Sequence, residues 1–199
     1  MLTAAAHRLG WSRGAFRLGL VAAALLATCN IAAALYRFTS AEGGYSVVFA
    51  AAPVEQVDED NNARKVLNAL NHDNGYYAVV HVDHQYDLKV DDELEGNINV
   101  FSKQIGAPTQ SRKKRKFAKG REQLPAEEFT FESSELVGKG IVIVEGRRVY
   151  MIAAFGSKPH DRKAAVDRFM KSFKFQAPDK KNQDPPKVAK TKAKAKDSP

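Results

Sequence analysis

Runs of Val, Ile, Tyr and Phe, separated by turn residues, recur between residues 36 and 155 and restrict this chain to a sheet-rich fold. The predicted strands are 36–39, 45–49, 66–70, 76–82, 110–117, 129–132, 141–144 and 149–155. Glu42-Gly43-Gly44, Asn74-Gly75 and Glu145-Gly146-Arg147 stand between paired runs, and the positive φ angles that Asn-Gly supplies favour a tight hairpin. The acidic stretch 55–60, which follows Pro53, is predicted as a loop.

Two segments have helical rather than strand periodicity. The first carries an apolar stripe at spacings of four, three and four, formed by Leu94, Ile98, Phe101 and Ile105. Asp92 and Glu95 fit a capping box at its start, and Gly106-Ala107-Pro108 ends it. The second spans 161–171, and its stripe consists of Val166, Met170 and Phe173. We therefore predict an α+β fold, an antiparallel β-sheet of about six to eight strands covered by two helices.

Three short motifs resemble those of a known family. Residues 38–47 read FTSAEGGYSV, residues 146–150 read GRRVY, and residues 169–174 read FMKSFK. They are similar to F-x-S-x-E-G-x-F-S-V, G-x-R-x-Y and F-x-x-S-F-K in bacterial exported proteins of unknown function with a PsbP-like α/β/α fold. Two further family motifs are reduced here to Pro53 and Asp83. The resemblance implies a PsbP-like α/β/α sandwich over about residues 37–176, an exported address and no catalytic residue.

The first 34 residues have the order of a secretory signal. Residues 18–36 are uncharged and predicted to form an apolar helix that contacts the membrane, and the first acid of the chain is Glu42. The preceding basic residues are Arg8, Arg13 and Arg17. Because the arginines stay in the cytoplasm, residue 37 onward is predicted to be periplasmic or otherwise extracytoplasmic.

The fate of this segment has several open interpretations. Ala32-Ala33-Ala34 allows cleavage before Leu35, and the uncharged run is also long enough to remain as a signal anchor. Cys29 follows Leu-Ala-Thr and resembles a lipidation site, and an organelle transit peptide has a similar basic, acid-free composition.

The net charge of +8 lies at the two ends of the chain. Residues 1–34 carry +3 and residues 177–199 carry +4, whereas residues 35–176 carry +1. The lysine-rich end is predicted to be a disordered tail that either aids solubility or tethers the protein to an anionic surface. We therefore divide the chain into a signal segment at 1–34, an α+β domain at 35–176 and a tail at 177–199.

His72, His81, Asp83 and His84 are the densest set of potential metal ligands. On a strand, His81 and Asp83 share one face and His84 points to the other, while His72 lies at the neighbouring turn. Zn²⁺ usually needs three or four convergent ligands, so the pattern favours a half-exposed strand with polar residues on its solvent-facing side. His81, Asp83 and His84 are the alternative candidates for a metal site. No cofactor is predicted.

A basic segment at 112–121 is the sharpest charge feature of the chain. Its cations are Arg112, Lys113, Lys114, Arg115, Lys116, Lys119 and Arg121. They either protect an edge strand from aggregation or contact an anionic membrane surface or an acidic envelope protein. Residues 38–111 carry a net charge of −8 and residues 112–176 carry +8, which either orients the domain or cancels within the fold.

Three functional hypotheses follow, and the first is the most favoured. It is an exported, non-enzymatic accessory or binding module of the cell envelope. The second is a small metal-dependent enzyme that uses the region of His72, His81, Asp83 and His84. The third is a nucleic-acid binder acting through 112–121 and the tail, and export of the domain would exclude this function.

The chain has no GxSxG or P-loop motif. Gly138-Lys139-Gly140 is too short to cradle a phosphate, so we expect substitutions in these three residues to change stability rather than an activity.

Overall fold

The computed structural model describes residues 35–158 and 162–176. The predicted signal segment and the predicted tail therefore lie outside the described residues. Within these two ranges, ten strands and two helices confirm the predicted α+β class. Neither helix has the length and apolar character needed to cross a membrane.

The elements follow one another in mainly hairpin order. The strands are β1 Tyr36–Ser40, β2 Tyr45–Phe49, β3 Val54–Glu59, β4 Ala63–His72, β5 Gly75–His84, β6 Thr109–Lys119, β7 Glu122–Glu132, β8 Leu136–Glu145, β9 Arg148–Ser157 and β10 Lys174–Phe175. The helices are α1 Val90–Ile105 and α2 Lys163–Ser172.

Seven strands form one antiparallel sheet in the order β3-β4-β5-β9-β8-β7-β6. Strands β1, β2 and β10 form a separate three-stranded sheet, so the first hairpin does not join the main sheet. Helix α1 packs on one face through Leu94 and Ile98, and the small sheet and α2 cover the other. Strand β8 is buried on both faces, because Ile141 and Ile143 face the small sheet and Val142 faces α1.

The predicted loop at 55–60 is wrong, because residues 54–59 form the edge strand β3. Its side chains are mostly exposed and polar, and it is held by backbone pairing with β4, with Val57 opposite Val66. Such a strand carries no apolar alternation, so hydrophobic periodicity does not reveal it. Strand β7 begins at Glu122, earlier than the predicted residue 129. Its first half contains Pro125, a residue that is uncommon inside strands.

Two predicted turn and cap details differ from the structure. The helix α1 begins after Lys89 and has no side-chain cap hydrogen bond, so the predicted capping box does not form. Asp91, Asp92 and Glu93 lie in the first turn, where the positive end of the helix dipole stabilises their negative charges. In the β4–β5 turn the positive φ angles belong to Asp73 (54°) and Asn74 (59°), and Gly75 already begins the strand.

Candidate functional site

A polar cluster lies where the β1–β2 turn covers the main sheet. We name it the His81 cluster, and its members are Glu42, Arg64, His81, Asp83, Arg148 and Tyr150. The register of β5 and β9 pairs His81 with Tyr150 and Asp83 with Arg148. Because side chains two residues apart on a strand share a face, all four point toward the turn.

Two hydrogen bonds hold the turn over this face. Arg148 Nη1 donates to the Glu42 carbonyl oxygen at 2.9 Å, and the Tyr150 hydroxyl donates to the Gly43 carbonyl oxygen at 3.0 Å. A Cβ atom at position 43 would lie 2.3 Å from Tyr45 Cε1 and 3.0 Å from His81 Nδ1. Only glycine therefore allows the turn to approach the sheet this closely.

Both carboxylates of the His81 cluster are paired with arginines. Arg64 Nε lies 2.7 Å from Glu42 Oε1 and its Nη2 lies 3.3 Å from Oε2. The Arg64 guanidinium lowers the pKa of Glu42 below its ordinary value, so this carboxylate is ionised at neutral pH. Arg148 binds Asp83 through Nε and Nη2, with 2.7 Å between Nη2 and Asp83 Oδ2.

His81 is fully buried between these two ion pairs, so the predicted solvent-facing position of this side chain is wrong. Neither ring nitrogen has a hydrogen-bond partner within the described residues, and Nε2 lies 3.8 Å from Glu42 Oε1. Its ring meets that of Tyr45 edge to face, with 6.0 Å between the centroids. Desolvation and the nearby Arg148 charge lower the pKa of His81, so the imidazole is neutral at pH 7.

The structure brings together only part of the histidine-rich region singled out from the sequence. His81 and Asp83 share a face as the strand periodicity indicates, and Glu42 joins them from the turn. His84 points to the opposite face, beside Tyr86 with 5.2 Å between ring centroids. His72 lies at the far end of β4, opposite Gly75. Sequence reasoning missed Glu42, because it lies on a different hairpin and no local pattern ties it to β5.

The cations of segment 112–121 lie on β6, at one edge of the main sheet, and on the turn that follows. We name these seven residues, Arg112, Lys113, Lys114, Arg115, Lys116, Lys119 and Arg121, the basic edge. Four of them form ion pairs, namely Arg112–Glu127, Lys114–Asp91, Arg115–Glu128 and Lys119–Glu145. Lys113, Lys116 and Arg121 are exposed and have no ion pair within residues 35–158 and 162–176.

Ion pairs also join the acidic and basic halves of the domain. Four of those among the described residues do so, namely Lys114–Asp91, Arg147–Asp87, Arg148–Asp83 and Arg162–Asp73. The opposite charges of the two halves therefore cancel in part within the fold. The two edge strands of the main sheet differ in charge, with exposed cations on β6 and exposed acids on β3.

No family model matches this chain, and no curated protein matches it. Among solved structures, the solution structure of cyanobacterial PsbP (CyanoP) from Synechocystis sp. PCC 6803 is similar, with a TM-score of 0.51 and 12% sequence identity. The similarity covers 75% of this chain and 98% of that chain. The domain has a PsbP-like fold. The PsbP-like fold confirms the predicted architecture. At 12% identity, the similarity assigns no function to any residue of the His81 cluster or of the basic edge.

Proposed function

We propose that this protein is an exported, non-enzymatic accessory module that binds an acidic, extended segment of an envelope protein along its basic edge. The observation that carries the proposal is the position of β6, which among the described residues pairs only with β7 and forms an edge of the main sheet. An edge strand offers its outer backbone N–H and C=O groups to a partner strand.

The charge pattern of β6 favours an acidic partner strand. Side chains alternate along a strand, so Lys113 and Lys116 project to opposite faces of the sheet, and Arg121 extends from its end. A partner strand paired with β6 would therefore have a lysine on each face of the sheet. The other cations of the basic edge are already bound to acids of the domain, which fixes their positions.

The chemistry of the His81 cluster supports a binding role over catalysis. Its carboxylates are engaged by Arg64 and Arg148, and the neutral imidazole of His81 lies fully buried behind them. A general base must reach the proton that it removes, and here the imidazole is shielded from solvent. The family resemblance, which implies no catalytic residue, agrees with this view.

Binding along the basic edge is tested with the full chain and a fluorescent poly-glutamate peptide, by anisotropy at increasing NaCl. We expect binding that weakens as salt rises, and a loss of at least about tenfold in Lys113→Glu/Lys116→Glu/Arg121→Glu, because like charges then face the peptide. The matched control is Arg37→Glu/Arg168→Glu/Lys171→Glu, which changes the net charge equally at exposed positions on β1 and α2, elements that pack on β2, β8 and β9.

Two results would contradict this assignment. Equal losses in both triple variants would indicate binding by the overall charge rather than by the basic edge. Binding to vesicles of anionic phosphatidylglycerol without binding to the peptide would indicate a membrane surface instead of a protein.

Export is tested separately, with a reporter enzyme fused after residue 176 that is active only outside the cytoplasm. We expect activity from the full fusion and none after removal of residues 1–34. A cytoplasmic full-length product would contradict the export part of the proposal, and the mass of the mature protein would distinguish cleavage before Leu35, lipidation at Cys29 and a retained anchor.

A further inference from the structure

We propose that Glu42, His81 and Asp83 form a binding site for one divalent transition-metal ion of the Zn²⁺ type. Each residue offers one ligand atom, and these atoms all lie within 4.8 Å of one another. The site joins two separate parts of the fold, because Glu42 belongs to the β1–β2 turn and the other two residues belong to β5. It does not depend on the basic edge.

The buried imidazole is the observation that points to a ligand. Buried polar atoms in proteins nearly always have a hydrogen-bond partner, yet both ring nitrogens of His81 lack one within the described residues. The nearest acidic atom, Glu42 Oε1, lies 3.8 Å from Nε2, too far for a hydrogen bond. A metal ion between the imidazole and the carboxylates would satisfy this nitrogen.

The donor set suits zinc. A neutral imidazole nitrogen and two carboxylate oxygens are common zinc ligands, at about 2.0–2.2 Å from the metal, and water can fill a fourth position. Tetrahedral ligands at those distances lie about 3.4 Å apart, so the three atoms must approach one another by up to about 1.4 Å. Glu42 and Asp83 together can supply that movement, because their side chains are 44% and 34% exposed.

The two arginines set how tightly the ion is held. A carboxylate has about four lone-pair positions, so Glu42 and Asp83 can each keep an arginine and still offer a position to a metal. The positive charges of Arg64 and Arg148 oppose the cation, and Arg64 Nε binds Glu42 Oε1, the carboxylate atom nearest to His81. Removal of the more exposed one, Arg64, should therefore strengthen metal binding. A purely structural ion pair gives no such gain.

The ion has a route from solvent. The side chains of Glu42 and Asp83 are 44% and 34% exposed, whereas His81 lies behind them with no exposed surface. The carboxylates therefore meet the hydrated ion first, and the imidazole completes the site.

The experiment is calorimetric titration of the full chain with ZnCl₂, paired with the visible absorption of bound Co²⁺. We expect one ion per chain, a loss of affinity of at least about tenfold in Glu42→Gln, and a gain of about threefold or more in Arg64→Gln. The matched control, His72→Gln/His84→Gln, removes the two histidines of the same hairpin that point elsewhere and should bind as the parent does.

His81→Gln gives the most direct loss of a ligand, and circular dichroism shows whether it folds. If it does not fold, Glu42→Gln tests the site alone, since this side chain lies on an exposed turn. The proposal is overturned if the parent takes up no Zn²⁺ at millimolar concentration. It is equally overturned if the histidine double variant loses binding while Glu42→Gln retains it.

Discussion

Gly138→Ala should destabilise the domain, whereas the same change at Gly96 should stabilise it. A Cβ atom at Gly138 would lie 2.4 Å from Phe155 Cβ, 2.6 Å from the Ala154 carbonyl oxygen and 2.7 Å from Phe131 Cζ. The ring of Phe131 can rotate away, but the carbonyl of Ala154 belongs to the backbone of the neighbouring strand β9. Strand β9 must therefore shift away from β8.

The magnitude follows from two opposing effects. Overpacking of a tight interior costs about 1–3 kcal/mol. Replacing glycine also restricts the unfolded chain, which returns about 0.4–1 kcal/mol. The net loss in unfolding free energy for Gly138→Ala is thus about 1–2 kcal/mol. At Gly96, in α1, no atom lies within 4 Å of the added Cβ, so alanine should gain about 0.5–1 kcal/mol.

The assay is urea unfolding of the full chain followed by far-ultraviolet circular dichroism. With a slope of about 2 kcal/mol per molar urea, the midpoint of Gly138→Ala should fall by roughly 0.5–1 M and that of Gly96→Ala should rise by a few tenths of a molar. A midpoint for Gly138→Ala at or above that of the parent would refute the reasoning, because it would mean that β8 and β9 separate at no cost.

Three further changes test other contacts. Burial lowers the pKa of Lys65 to about 8, while its unfolded value is 10.5, so the folded state binds fewer protons between those values and stability rises with pH across that window. Lys65→Met should remove this rise and should be more stable than the parent at pH 7 by up to about 3 kcal/mol. Urea midpoints of both proteins at pH 7 and pH 10 measure this, and an equal change of midpoint with pH in the two proteins would contradict it. Tyr150→Phe leaves the Gly43 carbonyl without the hydroxyl donor and should cost about 1–2 kcal/mol in the same assay, and an unchanged urea midpoint would contradict this. Ser172→Ala removes the hydroxyl that accepts from the Val48 N–H at 2.9 Å, so faster hydrogen exchange at Val48 is expected, and an unchanged rate would count against this contact.

The features that were predicted well from the sequence are determined by residues that are close together in the chain. The turn at Gly146, with its φ of 57°, and the left-handed cap at Gly106 follow from local backbone sterics. The shared face of His81 and Asp83 follows from the two-residue period of a strand. The basic segment 112–121 was expected as either an edge strand or an anion-binding surface, and the structure places it at an edge of the sheet.

The elements that the sequence predicted poorly depend on distant parts of the chain. Strand β3 is held by backbone pairing with β4 and carries polar side chains, so it has no apolar signature. The contact of Glu42 with Arg148 joins residues 106 positions apart, and nothing near Glu42 indicates it. The metal-binding candidate therefore needed the third ligand that only the folded chain provides.

By itself, the sequence determined the α+β class, most strands, both helices and the face that each histidine of β5 presents. These depend on periodicity and turn chemistry, which act over a few residues. Only the tertiary structure decided that the first hairpin leaves the main sheet, covers His81 and brings Glu42 beside it. That choice depends on which apolar surfaces, such as Tyr45 and Phe173, are buried together, and burial is a property of the whole packed chain.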